Sequence, residues 1–357
     1  MTPITLRPIR KWAARGSLAM LVSALLLSAA SAPAHAAEDA CRQKRIADIP
    51  ARITPEHRLQ ITADLNGKSV ELRLATGIGI SALNHGLVAQ LGLPIETAHD
   101  LRYKNALNNA FRIFEDPPAD ARAAIFSGSE LDQRTRIPKM TLGGATTEFE
   151  EFGVTSAAGD GSDGQTVGLF GMDYLLLYDL ELDPAAGRVR LYEQDHCGDR
   201  AVYWSNKYSV LPLSVDPQTR WVTTEVELDG QKLRALIDTG REHTTLPMGS
   251  ADRLFGLTES SPGVVPSGSE TTLEGRSAAL YSYNFKSLKL GDLVVNNPRL
   301  TLETLRLMRQ VPGNSHIARA AEVGPDIIIG ESLLRQLHLY FAFKDSIAYF
   351  TLAPPPP

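Results

Sequence analysis

Two distant stretches of this chain run in register with each other, and that pairing limits what it can fold into. Leu65-Asn66-Gly67-Lys68-Ser69-Val70-Glu71-Leu72-Arg73-Leu74-Ala75-Thr76-Gly77 matches Leu228-Asp229-Gly230-Gln231-Lys232-Leu233-Arg234-Ala235-Leu236-Ile237-Asp238-Thr239-Gly240 without a gap. Asn66-Gly67 and Asp229-Gly230 are hairpin-turn pairs, and Ser81-Ala82-Leu83 follows the first stretch where Thr244-Thr245-Leu246 follows the second. A second pair of hairpins begins at Ile137-Pro138-Lys139-Met140 (with Phe152 to Val154) and at Phe285-Lys286-Ser287-Leu288 (with Leu293 to Val295 and Arg299 to Leu302). A third pair closes each half: Val167-Gly168-Leu169-Phe170-Gly171-Met172-Asp173 and Ile327-Ile328-Ile329-Gly330-Glu331-Ser332 each read as strand, glycine and short helix. Hairpins follow at Leu180 to Tyr192 and Leu339 to Leu352. Three paired elements in one order define an internal duplication, rich in strands and poor in helices.

Within the second copy, an aliphatic run ends on Asp238, and Thr239-Gly240 turns the chain away. A carboxylate at the tip of a buried strand has its acidity set by desolvation and by backbone N–H groups. Two aliphatics, Asp-Thr-Gly and a following Thr-x-Leu make this region similar to the aspartic peptidases of the retropepsin and pepsin type. The resemblance covers nearly all of residues 59–352. It implies an all-β, bilobal acid-protease-like fold, with two retropepsin-like β-barrel lobes related by a pseudo-twofold axis. By resemblance, Asp238 is a catalytic carboxylate, while Thr239, Gly240, Thr76 and Gly77 are the supporting loop residues. Ala75 is the degenerate position where the partner acid of the family stands. Asp64 and Glu71 lie elsewhere on the strand pattern and do not fill that slot.

The family mechanism uses two carboxylates that share one proton and activate a water molecule between them. A methyl group at 75 neither gives nor takes a proton, and acid–base catalysis by one positioned group is worth roughly 10²–10⁴ in rate. Three readings follow. The first is a weak or inactive peptidase that holds a peptide or protein in its interlobe cleft; the second is an active aspartic endopeptidase working through Asp238. A bare turn at Asp238-Thr239-Gly240 is the third, and the triple duplication argues against it. No cofactor and no metal motif is expected, the eight His being scattered. His243 reads as a half-exposed structural residue, and Asp173 and Glu331-Ser332 read as helix caps. The glycine- and serine-rich stretch 156–164 reads as a turn.

The chain opens with a secretory signal pattern over residues 1–36. Arg7, Arg10, Lys11 and Arg15 precede the apolar run Leu18 to Ala30, and Ala34-His35-Ala36 offers a small-x-small cleavage site. Cleavage there removes four basic residues and no acidic ones, taking the formal charge from −5 to −9. That balance argues against nucleic acid and anionic membrane as partners. The expected location is periplasmic or secreted, and the expected state is monomeric. In an oxidising compartment the two cysteines, Cys41 and Cys197, are expected to form a disulfide. Residues 37–58 read as a polar N-terminal arm, 59–204 as the first lobe and 205–357 as the second. The stretch 95–137, where the family carries a flap, has no steady periodicity.

Overall fold

A computed structural model describes residues 4–6, 43–55, 57–97, 133–154, 166–194, 201–217, 219–271, 277–304 and 324–354. Cys41, Cys197, the 156–164 stretch and most of the 95–137 segment lie outside these residues, as does the signal segment apart from Ile4–Leu6, which forms a strand antiparallel to Leu293–Asn296. The fold is all-β and bilobal. Each lobe starts from its repeat hairpin: Leu59–Leu65 against Lys68–Leu74 in the first, Val222–Leu228 against Gln231–Ile237 in the second. The turn residues Asn66, Gly67, Asp229 and Gly230 all have positive φ, as a tight two-residue hairpin turn requires.

A closing strand then threads each hairpin. Thr166–Phe170 runs parallel to Lys68–Leu74 and antiparallel to Ala82–Leu83; Ile327–Ile329 does the same between Gln231–Ile237 and Thr245–Pro247. In the first lobe the long hairpin Gln133–Leu142/Ala145–Val154 completes a closed barrel, because Gln133–Leu142 also pairs with Leu59–Leu65. In the second lobe the counterpart is split: Ser277–Asn284 pairs with Arg299–Glu303, and Ser287–Leu290 pairs with Leu293–Asn296 and with Val222–Leu228. The aliphatic residues that alternate along these strands, among them Ile61, Leu72, Ile137, Leu228, Leu288 and Leu302, fill the core.

A six-stranded sheet joins the lobes in the order Ser209–Pro212, Ile347–Leu352, Leu337–Ala342, Asp179–Asp183, Arg188–Tyr192 and Arg45–Ile53. The segment read as a polar arm is therefore largely a nine-residue strand with Ala47 and Ile49 buried. Proline argued against a strand there, but Pro50 lies at a handover. Residues 45–50 pair with Arg188–Tyr192 and residues 51–53 with Leu59–Ile61, so the missing N–H falls where the strand changes neighbour. The helix of the first lobe also starts earlier than its apolar residues suggest: it spans His85–Gln90, and the Asn84 side chain caps it by accepting the Leu87 N–H at 2.7 Å.

The two lobes meet at Glu181, whose side chain is fully buried. Arg190 Nη1 donates to it at 2.6 Å, Tyr192 Oη at 2.6 Å and Tyr203 Oη at 2.9 Å, while His338 Nε2 from the second lobe lies 2.8 Å away. Trp204 of the connecting segment stacks on the His338 ring at 3.8 Å and donates to Thr351. Burial alone would raise the Glu181 pKa, but hydrogen bonds from His338 and Tyr192, the Arg190 charge and the Tyr203 hydroxyl together hold it below the usual range. Glu181, Asp183 and His338 lie close enough to share a cation, and the Arg190 guanidinium supplies one to both carboxylates. Glu181→Ala leaves Arg190 short of a buried partner and should lower the unfolding free energy by about 3–5 kcal/mol in urea titrations. A loss below about 1 kcal/mol, the range of exposed pairs, would contradict this account.

Candidate active site

The two repeat loops come face to face where the lobes meet. Thr76 Oγ1 donates to the Ile237 carbonyl at 2.8 Å and accepts the Thr239 N–H at 3.1 Å. Thr239 Oγ1 returns both bonds, donating to the Leu74 carbonyl at 2.8 Å and accepting the Thr76 N–H at 3.2 Å. All four groups are buried, so each hydroxyl satisfies two polar groups that would otherwise be stranded. Strand-end backbone bonds match across the axis as well: Ala75 N–H to Phe170 and Asp238 N–H to Ile329, both at 3.0 Å.

Asp238 is 5% exposed, and one of its oxygens accepts the Gly240 N–H at 2.8 Å and the Gly77 N–H of the opposite loop at 3.2 Å. Gly77 lies so close that a Cβ there would sit 2.3 Å from the Asp238 carboxyl carbon, which is why this position has no side chain. On the other side of the axis a Cβ on Gly240 would come within 3.1 Å of the Ala75 Cβ. Ala75, fully buried, thus occupies the place related to Asp238 by the pseudo-twofold. Every loop residue singled out from sequence, Asp238, Thr239, Gly240, Thr76, Gly77 and Ala75, is gathered here.

Burial raises the pKa of Asp238 above the normal carboxylate range, against the opposing pull of the Arg241 charge, the Gly240 and Gly77 N–H groups and the Arg73 charge. Arg241 is itself anchored, its Nη1 lying 3.3 Å from Glu303 and 3.7 Å from Glu270. Glu270 belongs to the Val265–Thr271 strand and also lies 3.7 Å from Arg58 of the first lobe. A second tier of cross-lobe contacts flanks the threonines. Arg220 Nη1 donates to the Gly79 carbonyl at 2.6 Å, and His57 Nδ1 lies 3.1 Å from Glu242 Oε1; both residues hold positive φ. His243 pairs loosely with Glu242, at 3.5 Å.

The closing helices differ from their sequence reading. The caps of Met172–Leu175 and Glu331–Leu334 are Gly171 and Gly330, without side-chain capping bonds. Asp173 instead accepts the Ser81 N–H at 2.8 Å and its hydroxyl at 2.7 Å, and Ser332 Oγ accepts the Thr244 N–H at 2.9 Å. These side chains lock each helix onto its own loop, so loop geometry claims them before the helix end does. Glu331 is 2% exposed, and burial pushes its pKa up to about 8, with Arg335 opposing and the Asp238 charge adding to the rise. Its counterpart in the first lobe is Met172. Aligning the two copies past their glycines would have exposed this acid-for-methionine difference, as it would Arg73 standing where the second copy has Leu236.

Residues 224–332 match the family model described as aspartyl protease. The matched span runs from the first strand of the second lobe, through Asp238-Thr239-Gly240, into the closing helix. Among solved structures it is similar to the crystal structure of Basic 7S globulin from soybean, with a TM-score of 0.46 and 10% identity, over 87% of this chain and 97% of that one. No curated protein matches the chain.

Two outcomes follow from this site. Thr239→Val removes a donor and an acceptor from a buried quartet and should cost about 2–4 kcal/mol in urea unfolding, with the loss concentrated in the docking of the lobes. Glu331 is neutral in the folded protein up to about pH 8 but ionises near 4.5 when unfolded. A raised folded pKa gives stability that is whole below the unfolded value and fades as pH rises through the folded one. Glu331→Gln should therefore match the wild type near pH 4.5 and exceed it at pH 8 by on the order of several kcal/mol, read from urea midpoints across that range.

Proposed function

We propose that this chain is an exported peptide- or protein-binding member of the aspartic peptidase superfamily, with weak peptidase activity or none. The observation that carries the reading is the lone carboxyl: Asp238 faces the Ala75 methyl across the axis, inside a loop pair whose supporting hydrogen bonds are intact. A dyad divides acid and base roles because two close carboxyls hold one proton between them. A carboxyl opposite a methyl has no such partner in the cleft. What the loops retain is the scaffold, so the interlobe cleft is the binding surface and an extended peptide or protein segment its occupant. In this reading residues 1–36 direct export and are removed, and the mature protein acts as a monomer in the periplasm or outside the cell.

The second reading, an active endopeptidase that activates water at Asp238, is favoured by one feature. The Gly240 and Gly77 N–H groups both point at a single Asp238 oxygen, leaving its acidity tuned and its geometry fixed. Purified mature protein assayed on unstructured polypeptide at acid and neutral pH separates the two. In the first reading the wild type is inert or slower than a restored enzyme by roughly 10²–10⁴, and Ala75→Asp creates or raises cleavage. The new carboxylate would find the Gly77 N–H two residues on, as Asp238 finds that of Gly240. The same variant should lose stability at neutral pH, where two close carboxylates repel, and less in acid, where one is protonated. Wild-type cleavage abolished by Asp238→Asn would decide for the second reading; two folded but inert forms would end both peptidase arguments.

A further inference from the structure

Asp238 and Glu331 are two buried carboxyls of the second lobe. The first-lobe positions equivalent to Asp238 and Glu331 are Ala75 and Met172, so the duplication has an acid pair in one copy and an apolar pair in the other. Glu331 is packed directly behind the Asp238 loop: its N–H donates to the Arg241 carbonyl at 2.8 Å, and the next N–H, of Ser332, donates to the Glu242 carbonyl at 2.8 Å. The preceding Gly330 lets this approach happen, because a Cβ there would lie 2.4 Å from the His243 carbonyl oxygen. On its far side Glu331 lines a cavity of about 20 Å³ with Arg52, Asp183, Arg188 and Arg335. The charges that act on it are Arg335 of its own helix and Asp238 of the loop, while Arg52 of the first interlobe strand and Asp183 and Arg188 of the first-lobe hairpin share the cavity wall.

We propose that Glu331 is a positioning residue for Asp238, the two carboxyls forming one coupled pair within the second lobe in place of the cross-lobe pair that Ala75 abolishes. This rests on the reading of Asp238 as the reactive group of the cleft. Burial raises both acids, but Asp238 accepts two N–H bonds and has the Arg241 and Arg73 charges opposing the rise, whereas Glu331 has Arg335. Burial holds the proton on Glu331 up to about pH 8, and the Asp238 charge adds to that hold. Glu331 does not touch the cleft; it sets the range over which Asp238 carries a lone charge. A peptide carbonyl brought to Asp238 would meet a site whose second proton lies behind the loop, out of reach of the leaving group.

The test is a carboxyl titration by ¹³C NMR on protein labelled at Asp and Glu, which needs no activity. In the wild type, Glu331 should titrate near pH 8 and the Asp238 resonance should show a second, smaller step at the same pH. Asp238→Asn should lower the Glu331 midpoint by about one unit, the size expected of interacting sites. Glu331→Gln should erase the alkaline step from Asp238 while leaving its acid step in place. In the Ala75→Asp background, Glu331→Gln should also remove any break in the peptidase pH profile near 8. A Glu331 midpoint that stays put in Asp238→Asn, or an Asp238 alkaline step that survives Glu331→Gln, overturns the coupling. If the midpoints move while neither wild type nor Ala75→Asp cleaves peptide, the pair stands and the peptidase reading alone fails.

Discussion

The mutual grip of Thr76 and Thr239 is the contact on which the rest of this molecule depends. It ties the ends of two hairpins that belong to different lobes, and it does so with backbone groups that no strand could satisfy, because both chains turn away at Gly77 and Gly240. A buried N–H or carbonyl left without a partner costs about 1–3 kcal/mol, so four of them in one place make separation of the lobes expensive. The grip therefore fixes the distance between position 75 and position 238 whatever side chains they carry. That is how the catalytic-type acid can be absent from one loop while the loop keeps its shape: the threonines hold the geometry, and the acid only uses it.

The duplication also separates what the fold needs from what differs between the copies. Positions kept in both halves are turn glycines, threonines, the serine or threonine that receives the closing-helix side chain, and the strand aliphatics. Positions that differ are chemical: Ala75 against Asp238, Met172 against Glu331, Arg73 against Leu236, Ile78 against Arg241. All four lie on or behind the loops. In the first lobe Ala75 and Ile78 pack with Ala82 and Leu169, and Arg73 is the charge that this copy brings. In the second lobe they produce a charged loop base, in which Asp238, Glu331, Arg241, Glu303 and Glu270 lie within a few residues' reach of one another. A two-lobed site whose loops carry different charges is electrostatically lopsided, and any ligand spanning it meets different chemistry on its two sides.

Much of this was legible in the residues. The hairpins, the Asp238 loop, the closing strands and the terminal hairpins follow from alternation, from turn pairs such as Asn66-Gly67 and from the matching order of the copies. Other features were hidden for physical reasons. Arg45–Ile53 looks like an arm because its exposed charges and Pro50 break the usual strand signature, and only the change of neighbour at Pro50 makes the strand possible. Glu181 looks like one of the outward residues of a hairpin, yet Tyr203 and Trp204 from the connecting segment fold over it and close off solvent. Glu331 looks like an ordinary acid in the first turn of a helix, a placement the helix dipole favours. Its burial comes from the first-lobe hairpin and the first interlobe strand packing beneath it, and neither lies near it in sequence.

The interlobe sheet also has a consequence for how the chain comes into being. The strand Asp179–Asp183 is made when half the polypeptide is still to come, and one of its two neighbours, Leu337–Ala342, arrives almost last. Until then the first lobe has one finished barrel and one open strand edge, the kind of surface that recruits stray strands. That edge alternates Asp179, Glu181 and Asp183 with Leu180 and Leu182. Arg190 of the neighbouring strand offsets part of this charge, but acids set opposite acids still disfavour pairing with an identical copy. The segment that does fit brings His338 and Tyr340 to meet those acids. The same carboxylates that join the finished lobes thus serve, earlier in the life of the chain, as a guard against the wrong partner.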